Sequence, residues 1–246
     1  MRLVRGRDPN PEADRAATDA MLDRVGNTGE PAVRVWRPHR QVAFGRRDAA
    51  EPGYESARDA AEAQGYRPVV RSVGGRAVAY TGRTLAFAYA TPLDDPRRGL
   101  SDRYDGAVET VLAALDGLGV AGRPGEPPRS FCPGDHSVEC PTGPPDGPDG
   151  TRDRYGKVAG VAQRVRSDAA LVGGCVLVAD HDALAAVLAA VYGALDVPFD
   201  PGSVGSVALA GGPADPEVVA RALEDAFADR AGDGVTAITD ASTLLD

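Results

Sequence analysis

The stretch SFCPGDHSVEC, residues 130 to 140, contains the residue best suited to act as a nucleophile, Cys132. Cys132 precedes Pro-Gly, so we expect its thiol where a strand meets a turn and a substrate can reach it. A buried Cys132 that serves only as a small apolar residue is the ordinary alternative. Cys132, His136 and Cys140 are also four residues apart, which would suit part of a zinc site, but a fourth ligand would have to come from elsewhere. We therefore predict a cysteine nucleophile and no metal.

A second candidate is Lys157 in GKVAG, residues 156 to 160, because it is the only lysine in a chain with 27 Lys and Arg residues. A general preference for arginine would explain the rarity of lysine, and Lys157 could then lie on any solvated face. Its place between Gly156 and Gly160, in a strand-like run, favours a function instead. A compact ammonium group can stabilise charge that develops on a carbonyl or phosphate oxygen.

A third candidate is RSVGGRAV, residues 71 to 78. The adjacent Gly74 and Gly75 would let a ligand approach the backbone closely, although a turn of this kind is often purely structural. Arg71 and Arg76 stand on either side with donors suited to a carboxylate, a phosphate or a carbonyl.

The elements that must position these residues include four clear helical patterns and a shorter one in YESARDAAEAQG. Asn10-Pro11 and Asp215-Pro216 each combine a capping residue with a proline suited to the first turn, so we predict that helices begin there. The other two helices are predicted after Ser101 and after Asp180.

Strand-like runs fill the spaces between the helices. AVRVW and QVAFG, separated by RPHR, have the pattern of a hairpin. RPVVRSV, RAVAY and TLAFAYA follow, and KVAGVAQRV and ALVGGCVLV form a further pair. Because strands follow one another before helices intervene, we predict an α+β fold with a mixed, largely antiparallel sheet and helices packed on it. PTGPPDGPDGTRDR, residues 141 to 154, is predicted to be a loop and not a domain linker.

Composition restricts the class of protein. A net charge of −9 is unlike that of a nucleic-acid-binding protein, and Asp-rich, Lys-poor composition suggests a halophilic source. No stretch approaches the ~20 apolar residues of a membrane span, and the N-terminus lacks the apolar run of a signal peptide. Three cysteines do not suggest a disulfide framework. We expect a cytoplasmic protein with reduced thiols, no nucleic-acid partner and no membrane partner.

The pair RSVGGRAV and GKVAGVAQR resembles the paired motifs of the lipoate and octanoate protein ligase/transferase family, which is related to biotin protein ligase. In that family the two segments line one acyl-binding site. The resemblance extends over about residues 10–200 and implies one catalytic domain over 1–246 with a C-terminal helix at 215–230. It implies that Lys157 contacts the acyl carbonyl. The implied substrate-binding residues are Arg71, Gly74, Gly75, Arg76, Ala77, Gly160 and Gln163.

The segment SFCPG is similar to that of the amidotransferase branch, which moves octanoyl from the glycine-cleavage H protein to a lysine of another lipoyl domain. The resemblance implies that Cys132 forms an octanoyl or lipoyl thioester without any cofactor, and that Lys157 stabilises the thiolate and the oxyanion. It also implies that E2 subunits of 2-oxoacid dehydrogenases are further partners. Two alternatives are an ATP- and Mg-dependent lipoate ligase, which would not need Cys132, and a binding module without turnover.

Three positions depart from the family's pattern. A double arginine is replaced by Val70-Arg71, a histidine or apolar residue by Tyr80, and an asparagine by Ala86. Adenylate contacts are the part of the family's chemistry that these departures affect most.

Overall fold

The computed structural model describes residues 1–71, 75–143, 154–232 and 234–245. Five α-helices lie in this part of the chain: α1 (Pro11–Thr28), α2 (Tyr54–Ala63), α3 (Leu100–Gly117), α4 (His181–Ala194) and α5 (Pro216–Ala231). The strands are β1 (Arg2–Arg5), β2 (Ala32–Trp36), β3 (Gln41–Phe44), β4 (Arg67–Val70), β5 (Val78–Tyr80), β6 (Thr84–Pro92), β7 (Arg123–Pro124), β8 (Ser137–Pro141), β9 (Tyr155–Val165), β10 (Ala169–Leu177) and β11 (Ala237–Asp240). Within these residues, no helix is long and apolar enough to cross a membrane.

The strands form one large and one small sheet. The large sheet has the order β11-β1-β2-β6-β10-β9-β8-β7, and the small one has the order β4-β3-β5. In the large sheet only β11 and β2 run parallel to their neighbour β1, and the other pairs are antiparallel. This arrangement confirms the predicted α+β fold with a mixed, largely antiparallel sheet. It also confirms the predicted pairing of β9 with β10.

The predicted hairpin between AVRVW and QVAFG is wrong. These segments are β2 and β3, which belong to different sheets: β2 pairs with β1 and β6, whereas β3 pairs with β4 and β5. The linking RPHR segment therefore carries the chain from the large sheet to the small one. Local alternation predicted both strands but could not distinguish pairing between neighbours from pairing across the fold.

The predicted helix starts at Asn10 and Asp215 are confirmed in atomic detail. The Asn10 side chain accepts hydrogen bonds from the backbone N–H groups of Glu12 and Ala13, and the Asp215 side chain accepts one from Glu217. Both helices have proline at their first position. The side-chain oxygens thus satisfy donors that a helix N-terminus leaves without partners.

Two of the hydrophobic clusters matter most for the site. One contains residues from both ends of the described chain, including Met1, Leu3 and Phe227, and packs α3 and α5 on the large sheet. The other packs α2 and α4 against the small sheet and includes Tyr192 and Phe131. The second cluster supports the segment that carries Cys132, so its side chains fix the position of the thiol.

Two predicted features fall partly or wholly outside the described residues. Gly74 belongs to the undescribed residues 72–74, and most of the predicted loop at 141–154 lies in the undescribed residues 144–153. Strand β8 ends at Pro141 and strand β9 begins at Tyr155, so strands lie on both sides of that segment.

Candidate active site

Five of the predicted site residues lie around one cavity of about 740 Å³. They come from separate parts of the chain: Lys157 and Gly160 from β9, Arg71 from the end of β4, Gly75 from the approach to β5, and Cys132 from the segment between β7 and β8. All five line the cavity. The fold thus brings residues of both motifs, RSVGGRAV and GKVAG, to the cavity of Cys132, although Arg71 and Gly160 are 89 positions apart in the sequence.

The backbone at Cys132 is held in an unusual conformation. Its φ is +42°, in the left-handed region that non-glycine residues seldom occupy. The Cys132 N–H donates to the Tyr192 hydroxyl at 2.6 Å, and that hydroxyl donates in turn to the Ala77 carbonyl at 3.0 Å. Buried Tyr192 on α4 therefore connects the cysteine to the start of the GGRAV strand and helps to maintain the strained turn.

Arg71 is the cation in contact with the sulfur. One of its terminal nitrogens lies 3.1 Å from Cys132 Sγ and also donates to the Arg76 carbonyl at 2.5 Å. Burial acts against the guanidinium charge, but the Cys132 sulfur and Tyr80 outweigh it, and the pKa of Arg71 is raised. At this distance the guanidinium is a charge-assisted hydrogen-bond donor to the sulfur.

Lys157 contacts the backbone of the cysteine segment instead of the sulfur. Its Nζ donates to the Phe131 carbonyl at 3.0 Å, to the Cys132 carbonyl at 2.9 Å and to the Glu126 carboxylate at 2.9 Å. The side chain is buried, and it passes over Gly160, where an added Cβ would lie 3.2 Å from Lys157 Cε. Three N–H donors thus meet three acceptor groups of one segment, which fixes that segment on β9.

A local irregularity of β9 creates the room for this side chain. Val138 of β8 pairs with Ala159, whereas the next residue, Glu139, pairs with Lys157, so β9 has one extra residue between the two pairs. Such a bulge changes which side chains share a face of the sheet. With the extra residue, Lys157 and Gly160 lie next to each other, and the absence of a side chain at Gly160 leaves room for the lysine side chain.

Three predicted substrate-binding residues, Arg76, Ala77 and Gln163, do not line the cavity. Arg76 forms ion pairs with Asp48 and Glu51 at 3.2 and 2.8 Å. Buried Ala77 offers its carbonyl to Tyr192. The Gln163 amide accepts from Arg103 Nε at 2.5 Å and donates to the Leu100 carbonyl at 3.0 Å, so it connects β9 to α3. In this structure these three residues support the walls of the site.

The three residues whose spacing suggested a zinc site, Cys132, His136 and Cys140, do not share one environment. Cys132 and His136 line the cavity, and the His136 ring stacks on Tyr104 with ring centroids 3.9 Å apart. Cys140 is buried in the hydrophobic cluster of α3 and α5, where burial raises the pKa of its thiol to about 12. Among the described residues, no group of three or more His, Cys, Asp or Glu side chains could hold a metal ion.

Sequence reasoning missed Tyr192 and Glu126. The sequence predicts the helix that contains Tyr192 but not this contact, because no local pattern distinguishes a core tyrosine from one that binds a backbone amide 60 residues away. Glu126 lies six residues before Cys132 in a proline-rich segment without periodicity, and it also accepts a hydrogen bond from Ser130. A buried lysine implies a counter-ion, but the sequence offers 36 acidic residues for that role.

All three positions that depart from the family's pattern line the cavity, namely Val70, Tyr80 and Ala86. Burial, together with the nearby Cys175 thiol, raises the pKa of Tyr80, so its phenol stays protonated near neutral pH. The site therefore has a neutral hydroxyl where the family usually has a histidine or an apolar residue.

The cavity brings the Cys132 thiol together with two cations, Arg71 and Lys157, in a fold of α+β type. A family model described as the lipoyl protein ligase A/B catalytic domain matches residues 10–228. The chain belongs to this family.

Curated relatives match over about half of their own length. A protein of Anoxybacillus flavithermus named octanoyl-[GcvH]:protein N-octanoyltransferase is 34% identical over 122 residues, which are 48% of this chain and 43% of that protein. A protein of the same name from Exiguobacterium sibiricum is 31% identical over 127 residues, 50% of this chain and 44% of that protein.

Solved structures agree on the fold. A lipoate-protein ligase A bound with ATP superposes with a TM-score of 0.74 at 22% identity, covering 99% of this chain and 91% of that chain. A bi-partite lipoate protein ligase from Thermoplasma acidophilum gives a TM-score of 0.68 at 21% identity, with 99% and 89% covered. These likenesses show that the fold is that of lipoate-protein ligases.

Proposed function

We propose that this protein transfers an octanoyl group between lipoyl-domain proteins through a thioester on Cys132. The observation that carries the proposal is the contact of 3.1 Å between Arg71 and Cys132 Sγ in the wall of a cavity large enough for an acyl chain. A ligase that activates its acid with ATP has no use for a cation-paired thiol. The names of the curated relatives support the same reaction.

In the first half-reaction the Cys132 thiolate attacks the carbonyl carbon of an octanoyl-lysine amide on the donor domain. The C–S bond forms, the C–N bond breaks, and the donor lysine leaves as an amine after it takes up a proton. In this proposal Arg71, which contacts the sulfur, stabilises the thiolate before attack and then the negative charge that develops on the carbonyl oxygen.

In the second half-reaction a neutral lysine amine of the acceptor domain attacks the thioester. A C–N bond replaces the C–S bond, the amine loses a proton to solvent, and the thiolate returns to Arg71. Lys157 acts in both steps by holding the Phe131 and Cys132 carbonyls, so that the sulfur keeps its position while acyl groups enter and leave. This cycle requires no cofactor.

We further propose one catalytic domain over 1–246 and a glycine-cleavage H protein as donor, with E2 subunits of 2-oxoacid dehydrogenases among the acceptors. A cytoplasmic location fits the thiols, because all three cysteines are described and none forms a disulfide.

The decisive experiment is intact mass spectrometry after incubation with an octanoylated donor domain and without ATP. We expect one octanoyl adduct that hydroxylamine removes, and we expect Cys132→Ser to form no adduct while it melts like the wild type. Cys175→Ala is the matched control, since Cys175 also lines the cavity but is buried. Full activity of Cys132→Ser with an ATP requirement would establish the ligase alternative instead.

A further inference from the structure

A second cavity, of about 160 Å³, lies between the large sheet and the helices α3 and α5. It shares no lining residue with the cavity of Cys132. Its walls are formed by Tyr89, Thr91, Arg103, Ala107, Val172 and Arg230. Two of these six residues are cations and none is acidic, in a chain whose net charge is −9.

Arg103, one of the lining residues, has a buried donor without a partner among the described residues. Its Nε donates to Gln163 at 2.5 Å and its Nη1 to the Arg98 carbonyl at 2.7 Å. Its Nη2 is buried and has no hydrogen-bond partner among the described residues. A buried guanidinium N–H without an acceptor is unfavourable, so an additional acceptor near Arg103 would stabilise the folded protein.

Arg230 reaches the same cavity across a glycine of α3. A Cβ added at Gly106 would lie 1.7 Å from the Arg230 Nη2 atom, so only glycine leaves room for the guanidinium there. Glycine in a helix interior makes the helix less stable than alanine does. Gly106 therefore lowers the stability of α3 while it leaves space for Arg230. Its carboxylate neighbour is Glu109, 3.5 Å away and well exposed, on the solvent side of the arginine.

We propose that this cavity binds a small inorganic oxyanion such as phosphate. Two guanidinium groups that face one small cavity repel each other, and a tetrahedral anion between them replaces that repulsion with charge-assisted hydrogen bonds. Tyr89 and Thr91 add hydroxyl groups to the same walls. The volume suits a single phosphate and is too small for a nucleotide.

The protonation state of Tyr89 agrees with this role. Burial raises the pKa of its phenol, and the nearby Arg230 only partly offsets that effect. The hydroxyl therefore stays protonated and can donate to an anion.

The test is thermal melting of the full chain with increasing sodium phosphate, at an ionic strength held constant with sodium chloride. We expect phosphate to raise the Tm of the wild type, because a ligand that binds only the folded state stabilises it. Gly106→Ala should lose this shift, since the methyl group displaces Arg230. Gly117→Ala in the same helix is the matched control, because its added Cβ meets nothing within 4 Å, and it should keep the shift.

Arg230→Gln and Glu109→Gln separate the site from the surface ion pair. Arg230→Gln should lose the phosphate shift, whereas Glu109→Gln removes the same ion pair and should retain it. The absence of a phosphate shift in the wild type would overturn the proposal. So would an equal shift in Gly106→Ala and Arg230→Gln, since the ion would then bind elsewhere.

Discussion

At the scale of single residues, the two cations beside Cys132 have different partners. Arg71 contacts the sulfur, and Lys157 contacts the carbonyls of Phe131 and Cys132. The family resemblance implied that Lys157 stabilises a thiolate on Cys132, whereas the side chain that contacts the sulfur in the structure is Arg71. The Lys157 ammonium group passes over Gly160 and donates to three acceptor groups, a role for which we expect the planar guanidinium of arginine to be a poor substitute.

We expect Lys157→Arg and Lys157→Ala to reduce octanoyl transfer at least about tenfold, because each frees the cysteine segment from β9. Lys157→Ala should also lower the free energy of unfolding by about 1–3 kcal/mol, since it leaves two carbonyls and Glu126 without their donor. Single-turnover acylation of Cys132 and urea denaturation measure the two effects.

Glu126→Gln is the control for charge at this position, because it keeps an acceptor for Lys157 Nζ and removes the counter-ion. It should fall between wild type and Lys157→Ala in both measurements. Wild-type turnover by Lys157→Arg would show that arginine preference alone explains the single lysine.

At the scale of secondary-structure elements, the sequence predicted the helices and most strands, because capping residues and apolar periodicity are local signals. The caps at Asn10 and Asp215 are examples. Strands β1, β7, β8 and β11 were not predicted. Strands β1 and β11 pair with each other from opposite ends of the chain, so no local pattern contains that pairing. The β2–β3 hairpin was wrong for the same reason, because the choice of partner depends on the whole fold.

The same limit applies to the site. Gly75, Cys132 and Lys157 could be selected by residue type and spacing, and they line one cavity. The contacts that connect Tyr192 to the Cys132 amide and Glu126 to Lys157 join different elements, so no local pattern contains them.

The small sheet offers a direct test of how elements position the site. A Cβ added at Gly45, at the end of β3, would lie 1.7 Å from the Gly75 carbonyl oxygen, a backbone atom that cannot turn aside. We expect Gly45→Ala to push the GGRAV segment away from Cys132, to reduce acylation more than tenfold, and to cost about 1–3 kcal/mol in stability.

Gly193→Ala near the end of α4 is its matched control, since an added Cβ there meets nothing within 4 Å. This variant should keep full activity and melt at or above the wild-type temperature, because alanine favours a helix. Acylation rates of Gly45→Ala and Gly193→Ala, each corrected for its folded fraction, test the prediction. Equal rates would contradict the role assigned to the close approach of the strands.

At the scale of the whole molecule, the hydrophobic core constrains how stability responds to pH. Cys140 on β8 lies in the cluster packed by α3 and α5, and burial raises the pKa of its thiol to about 12. Burial likewise raises the pKa of Cys175. In the unfolded chain a cysteine has a pKa of about 8.5.

Above about pH 8.5 the unfolded chain therefore loses thiol protons that the folded chain keeps. Because the folded state then binds more protons, the free energy of unfolding falls as pH rises, by up to about 1.4 kcal/mol per pH unit for one thiol. For Cys140 this decline continues towards pH 12. Tyrosines with raised pKa values act in the same direction, but mainly above pH 10.

Urea denaturation at pH 7, 9, 9.5 and 10 tests this directly. We expect the stability of Cys140→Ala to fall less steeply between pH 9 and 10 than that of the wild type, even if the variant is less stable at pH 7. Val138→Ala is the matched control: Val138 is buried in the same strand and cluster but does not titrate, so its variant should lose stability by a similar amount at every pH. A slope for Cys140→Ala as steep as that of the wild type would mean that the buried thiol does not control the alkaline limit of the fold.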